Sequence, residues 1–412
     1  MAPSTSPSAS AVSSGHVLQL IRTGEATTRA EIGRLTGLSR PAVALRITEL
    51  LACGLVTEGV PAPSSGGRPP GRLEFNAASG VVLSAVLGMS RSQVAVCDLA
   101  GRVLARTPGT PEVEHGPDTA VPWLLDTWAR LLEFCDRSAG DVRGVGLGLP
   151  GTVEFAAGRS VASPVLTSWG GVEIGPMITK HHPVPVLIDN DVNAMALGER
   201  GAHYRDVDDL VFVKVSTGIG AGIISRGALL RGSLGAAGEI GHIPVCGGGG
   251  TPCRCGNTDC LEAVAGGSAL IARLAEQHRK VSGVGELAAL ARDGDPAAVT
   301  LVREAGRRIG EVLAGAVNLL NPAVIVLGGD LARAYDPLLA GVREIVFQRS
   351  TALSTRRLQI LPSRAGAEVG ILGSATMVLD RILAPEAVDA ALAEAAADRE
   401  THTAAGGQAA IT

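Results

Sequence analysis

The sequence predicts an α/β protein: a small helical head, residues 14–78, ahead of a long body, residues 79–385, in which strands and helices alternate. Three observations carry this. From about 80 to 385, short Val/Ile-rich runs ending in Gly or Asp recur with helical patterns between them, among them GVVLSAVLG, VRGVGLGLPG, VPVLIDND, LVFVKVSTGIGAGII and AVIVLGGD. From Gly15 to about Gly54 the periodicity is helical with short breaks. Between these regions PAPSSGGRPPG (61–71) is too rich in turn residues to be regular structure.

At 412 residues the chain exceeds one ordinary core, so two or three domains are expected. With 46% apolar residues but only 2% aromatic, those cores must be packed from Ala, Val, Leu and Ile. The opening MAPSTSPSASAVSS lacks a basic segment followed by an apolar one, and no uncharged apolar run reaches the ~20 residues that span a bilayer. The reading is therefore cytoplasmic with no membrane contact, and residues 1–13, rich in Ser, Pro and Ala, are expected to be disordered. Seven cysteines in such a protein are not expected to pair as disulfides. Residues 1–80 hold seven Arg against five Glu, a net of +2, so the remainder of this −4 chain carries −6. A basic head on an acidic body is compatible with nucleic-acid binding by the head alone.

Within the head, Thr28 followed three positions later by Glu31 forms a capping box, opening a short helix with Ile32 and Leu35 on one face. Gly37 permits a tight turn, Ser39 caps the next helix, and Pro41 fits its first turn. Val43, Ile47, Leu50 and Leu51 then repeat at helical spacing until Gly54 ends the helix. Two short helices joined by such a turn make a helix-turn-helix, whose second helix enters the major groove by its N-terminal end. Ser39, Arg40 and, further along, Arg46 are the polar side chains it would offer to DNA. LVTEG and GRLEFN flank the turn-rich stretch as the strands of a wing, with Arg68 suited to a narrow minor groove. The head is similar to the winged helices that begin many bacterial repressors.

Three stretches of the body bear on chemistry. STGIGAGII (216–224), with Thr217, Gly218 and Gly220, lets backbone N–H groups approach a phosphate. VIVLGGDLA (324–332) is a strand ending in Gly328 and Gly329. LIDNDVNAMALGE (187–199) places Asp189, Asn190 and Asp191 at a strand's C-terminal end, which suits hydroxyl recognition or a general base, or else plain helix capping.

The order of these motifs, with GEIGH (238–242), CRCGNTDCLE (253–262) and DNDVNA (189–194), resembles the ROK family of repressors, open reading frames and kinases. The resemblance implies an actin-like, hexokinase-like two-lobed ATPase fold for the body. It implies that Asn190, Asp191, Glu239, His242 and Glu262 hold sugar hydroxyls, that LPG (149–151) with Gly151 lines the sugar, and that Asp191 stands at the place of the catalytic base. It also implies a structural zinc on His242, Cys253, Cys255 and Cys260. The spacing agrees, since C-x-C-x4-C with an upstream His supplies four ligands of the kind tetrahedral zinc takes. Cys246 is not expected to be a ligand, and Cys53, Cys97 and Cys135 read as small buried apolar residues. The family's Gly before the third cysteine is replaced by Asp259, which a left-handed backbone tolerates better than most side chains.

One departure concerns activity. Register from AVCDLAG (95–101) places Val86 where the family's kinases carry a magnesium-associated Asp. Gly88 is kept, but Met89 and Ser90 replace a small residue and a threonine, and Arg91 follows. A valine has no oxygen with which to hold Mg²⁺ or its waters, and phosphoryl transfer depends on charge neutralisation. The sequence therefore predicts no enzyme. It predicts a DNA-binding transcriptional regulator of carbohydrate metabolism, a homo-oligomer of two or four copies on a double-stranded operator, with a sugar or sugar derivative as effector. An active ATP-dependent sugar kinase with an accessory DNA-binding head is the alternative; a protein effector is a further one. The tail, 386–412, is expected to begin as an Ala-rich helix and fray.

Overall fold

The computed structural model describes residues 12–59, 71–88, 91–109, 115–161 and 167–408. Arg68, Met89, Ser90 and the N-terminal residues 1–11 thus lie outside the described residues.

The head is built as its capping residues dictate. Thr28 and Glu31 form the reciprocal capping box of helix Arg29–Thr36, and Gly37 ends that helix at φ 72°. Ser39 accepts from the Ala42 N–H to start helix Arg40–Ala52, with Pro41 in its first turn. A preceding helix, Ser14–Thr23, is capped by Ser13. Strands Val56–Gly59 and Arg72–Phe75 pair antiparallel, so the wing is present. Ile32, Val43, Ile47 and Leu50 are buried, whereas Leu35 remains 47% exposed and does not join Ile32 in the core.

The body holds two five-stranded mixed sheets. The first runs in the order Val103–Gly109, Ser92–Asp98, Val81–Val86, Val142–Leu149, Val186–Asn190, the last three strands parallel. The second runs Ala228–Leu230, Ile219–Ser225, Leu210–Val215, Val324–Gly328, Gln359–Pro362. Each has its own apolar core of Val, Leu, Ile and Ala, in which Trp128, Trp169 and Phe212 are the largest fully buried side chains. Helix Asp191–His203 follows the first sheet directly and packs on helix Val369–Ile382. At their crossing, Cβ atoms on Gly198 and Gly373 would lie 1.9 Å from Val369 O and 1.6 Å from Ala194 O, so both positions require glycine.

Helix Pro385–Gln408 closes the chain's described part against the head. The head's core is continuous with the body: Val17, Leu18, Ile21, Ile47 and Leu50 share one buried cluster with Val82, Cys97, Ile371, Val378, Leu379 and Val388. Cys97 is buried as expected, and burial pushes its thiol up to about 12. Cys53 and Cys135 are only half-buried, since both sit at helix ends where solvent reaches one side. No helix among the described residues is long and apolar enough to cross a membrane.

Candidate functional site

The parallel strands of both sheets end at a cleft between the lobes, where open α/β sheets place ligands. At the end of strand Val186–Asn190, Asn190 caps the following helix by accepting from the Val192 and Asn193 N–H groups, at 2.8 and 3.3 Å. Its amide also donates to Gly151 O at 2.8 Å, joining it to the LPG loop. Thr152 donates to Glu239 at 2.8 Å, and Glu239 faces His242 Nε2 at 3.9 Å. Glu262 accepts from the Ile219 N–H at 3.1 Å and abuts Gly218 and Gly241. Capping and hydroxyl-holding, the two readings of DNDVNA, are thus compatible: one oxygen of Asn190 caps while its NH₂ faces the loop.

Asp189 is 1% exposed and ties this region together through Arg231 at 2.7 Å and Asn193 at 2.8 Å. Arg231 in turn lies over the Phe155 ring at 3.8 Å. Neither Arg231 nor Thr152 carried a sequence signal, because both join the site only through loop closure across the lobes.

His242, Cys253, Cys255 and Cys260 place one ligand atom each within 4.8 Å of one another. Cys253 Sγ is 3.6 Å from His242 Nδ1, and Cys255 Sγ is 3.6 Å from Cys260 Sγ. Tetrahedral zinc with Zn–S bonds of about 2.3 Å separates its ligand atoms by about 3.7 Å, so the four residues fit a metal of that size. The Asn257 backbone N–H pulls the Cys255 thiol down to about 7, whereas burial pushes Cys260 up to about 12. Cys246 is exposed and outside the cluster. Asp259 adopts φ 58°, and its carboxylate accepts from the Thr251 N–H at 2.8 Å, pinning the glycine run.

At the strand ends the cleft has a volume of about 420 Å³. Gly88, Thr217, Gly328 and Gly329 line it, together with Val86 and Asp191. Gly218 faces Glu262, and Gly220 lies against Val192. Val86 ends the central strand of the first sheet, 7% exposed. Asp191 is 2% exposed and pairs with Lys214 Nζ at 2.5 Å. Lys214 interrupts the apolar strand LVFVKV, which was its signal in the sequence.

On the head, Ser39, Arg40 and Pro41 are exposed at the start of the second helix of the pair. Arg46 is not: it is half-buried, its Nε enclosed without a partner among the described residues, its Nη1 4.0 Å from Glu49. Thr28 is spent on its cap. Leu45, 54% exposed, lies one turn beyond exposed Pro41 and was missed because an apolar residue there reads as core.

Fold and cleft define a two-lobed, hexokinase-like body bearing a winged helix-turn-helix. The ROK family model matches residues 83–381, and the chain belongs to that family. The chain is 28% identical over 381 residues to the xylose repressor of Caldicellulosiruptor bescii, covering 89% of this chain and 95% of that one. It is 30% identical over 312 residues to the glucokinase of Thermotoga maritima, covering 72% and 96%. Among solved structures, it superposes with a TM-score of 0.79 and 27% identity on a ROK family transcriptional regulator homologous to E. coli MLC, covering 92% of this chain and 98% of that one.

Proposed function

We propose that this protein is a sugar-responsive transcriptional repressor whose head grips an operator and whose cleft takes a sugar effector without phosphorylating it. The carrying observation is the continuous core that joins a capped helix-turn-helix to a family body. The likenesses to a repressor and a regulator run over 89–92% of the chain, while that to a glucokinase covers 72%. Val86 supports the loss of kinase activity, since a valine side chain has no oxygen with which to order a cation. Two heads on half-sites one DNA turn apart make a homodimer the smallest competent assembly, and a tetramer a pair of these.

In this reading Ser39 and Arg40 contact DNA, with Thr28, Pro41 and Arg46 positioning the helices. Gly151, Asn190, Asp191, Glu239, His242 and Glu262 hold sugar hydroxyls. Zinc on His242, Cys253, Cys255 and Cys260 orders the glycine-rich loop, which packing alone could not do. An effector preferring one lobe closure shifts DNA affinity by its differential binding.

The test is a gel-shift titration on the operator with a panel of sugars, run beside a coupled kinase assay with ATP and Mg²⁺. Release of DNA by a sugar without turnover is expected. Turnover near ~1 s⁻¹, ordinary for enzymes, would establish the kinase instead.

A further inference from the structure

Helix Arg40–Ala52 buries Val43, Ile47 and Leu50 in the head's core. It also carries a second carbon-rich stripe, turned away from that core. Pro41, Ala44, Leu45 and Thr48 stand at i, i+3, i+4 and i+7, which makes one continuous helical face, and all four are exposed. A single exposed leucine is ordinary, but a whole exposed face built this way needs a reason. Ala44, Leu45 and Pro41 have no polar side-chain atom, and Thr48 adds no free donor, because its hydroxyl donates to Ala44 O at 2.9 Å. Arg46 lies off this face, half-buried, with Nη1 4.0 Å from Glu49. Polar contacts are thus left to the start of the helix, where Ser39 and Arg40 are exposed.

The second helix of a helix-turn-helix lays its outer face on the base edges of the major groove. Those edges are donors and acceptors, except for the C5-methyl group of thymine. Alkyl groups laid over a G·C pair would strip water from the guanine N7 and O6 and the cytosine N4–H groups without replacing their hydrogen bonds, which is costly. Laid over thymine, the same groups bury a methyl, which is favourable. The surroundings of the stripe are cationic: Arg34 and Arg40 are exposed on the two helices of the pair, and residues 1–80 carry a net +2. An apolar strip flanked by cations matches the groove of a duplex, with phosphates on either side, better than it matches an apolar protein surface.

We propose, resting on the repressor reading above, that the head recognises its operator half-site by contact with thymine methyl groups. Leu45 is the specificity-determining residue, Ala44 and Thr48 flank it, and Arg40 supplies the polar contact one turn earlier.

The test begins with selection by the full-length protein from duplexes carrying a random core of about 30 base pairs, room for paired half-sites. Each thymine of one selected half-site is then replaced in turn by deoxyuridine, which lacks only the C5-methyl and keeps every hydrogen-bonding group. At one or two positions uracil should weaken gel-shift affinity by about fourfold, the worth of one buried methyl. Leu45→Ala, an exposed substitution that leaves the head's core untouched, should bind the thymine and uracil duplexes alike. Arg40→Ala should weaken both duplexes together and leave the difference of about fourfold between them in place. Uracil without effect at every thymine overturns the proposal, and so does a methyl effect that persists in Leu45→Ala. Either result, obtained on an enriched sequence, leaves sequence-specific DNA binding standing. Leu45→Ala that lowers the oligomeric mass in solution while thymine discrimination is unchanged also overturns the proposal, and assigns the stripe to contact between copies. A pool in which no sequence is enriched overturns the repressor reading along with it.

Discussion

His242 presents its two ring nitrogens to different neighbours: Nδ1 to Cys253 at 3.6 Å and Nε2 to Glu239 at 3.9 Å. A metal on the first would fix the ring plane and so the direction of the second. Cys255→Ser is therefore expected to lower metal affinity by at least about tenfold. It should also weaken sugar binding, although Cys255 is not one of the residues proposed to hold the sugar; metal analysis and calorimetry on one preparation check both. Unchanged sugar affinity in metal-depleted protein would separate the loop from the pocket. On the head, Arg40→Ala should weaken operator binding by about 1–3 kcal/mol, the value of a base contact, as measured by gel shift. The exposed place of Arg40 and the gathering of His242 with Cys253, Cys255 and Cys260 were legible because both depend on local spacing and caps. Arg46 was not: its burial is set by packing in the head, where Ser14 of the first helix donates to the neighbouring Glu49. Asp259 is the intermediate case, since its left-handed backbone was foreseen but its carboxylate's grip on Thr251 was not.

Among the elements, strands announced themselves by short Val/Ile runs, which supply strands of both sheets but left the edge strands Val103–Gly109, Ala228–Leu230 and Gln359–Pro362 unmarked. The contact between helices Asp191–His203 and Val369–Ile382 left no such trace. Glycine inside a helix reads as a cost in sequence, about 1 kcal/mol against alanine. Here Gly198 and Gly373 let two backbones meet, a fact of tertiary geometry. Gly373→Ala must push its methyl into Ala194 O and is expected to destabilise by about 1–3 kcal/mol, the usual cost of overpacking. Gly315 offers the opposite case within helix Pro296–Leu320, exposed with nothing within 4 Å of an added Cβ. Gly315→Ala should stabilise by about 0.5–1 kcal/mol, because only the helix-propensity difference remains. Urea midpoints of the two variants against the parent protein check the pair, and a shift of the same sign in both would contradict the close-approach argument.

At the scale of the molecule, one helix touches both functional regions. Helix Val369–Ile382 lines the cleft with Val369, Gly370 and Ile371 at its start, and Gly370 leaves no room for a side chain against Val86. Its later residues Val378 and Leu379 enter the buried cluster that holds the head. The chain then runs into helix Pro385–Gln408, whose Asp389 accepts the Gly15 N–H at 2.8 Å. A Cβ on Gly15 would lie 2.2 Å from Pro385 O, so the first head helix and this last helix are pressed together. An effector in the cleft and DNA under the head therefore bear on the ends of one packed path, and packed elements shift between discrete arrangements and do not deform smoothly. Gly15→Val should part the two helices while sparing the capped reading helix. Operator affinity without effector is then expected to change by no more than about 1 kcal/mol, because the substitution lies outside the helix that would meet DNA. The effector-induced loss of affinity, a coupling of typically about 1–3 kcal/mol, should fall towards zero. Gel-shift titrations of both proteins with and without effector measure that coupling directly. An undiminished coupling in Gly15→Val, with the fold intact by circular dichroism, would mean that the signal reaches the head by a route other than the last two helices.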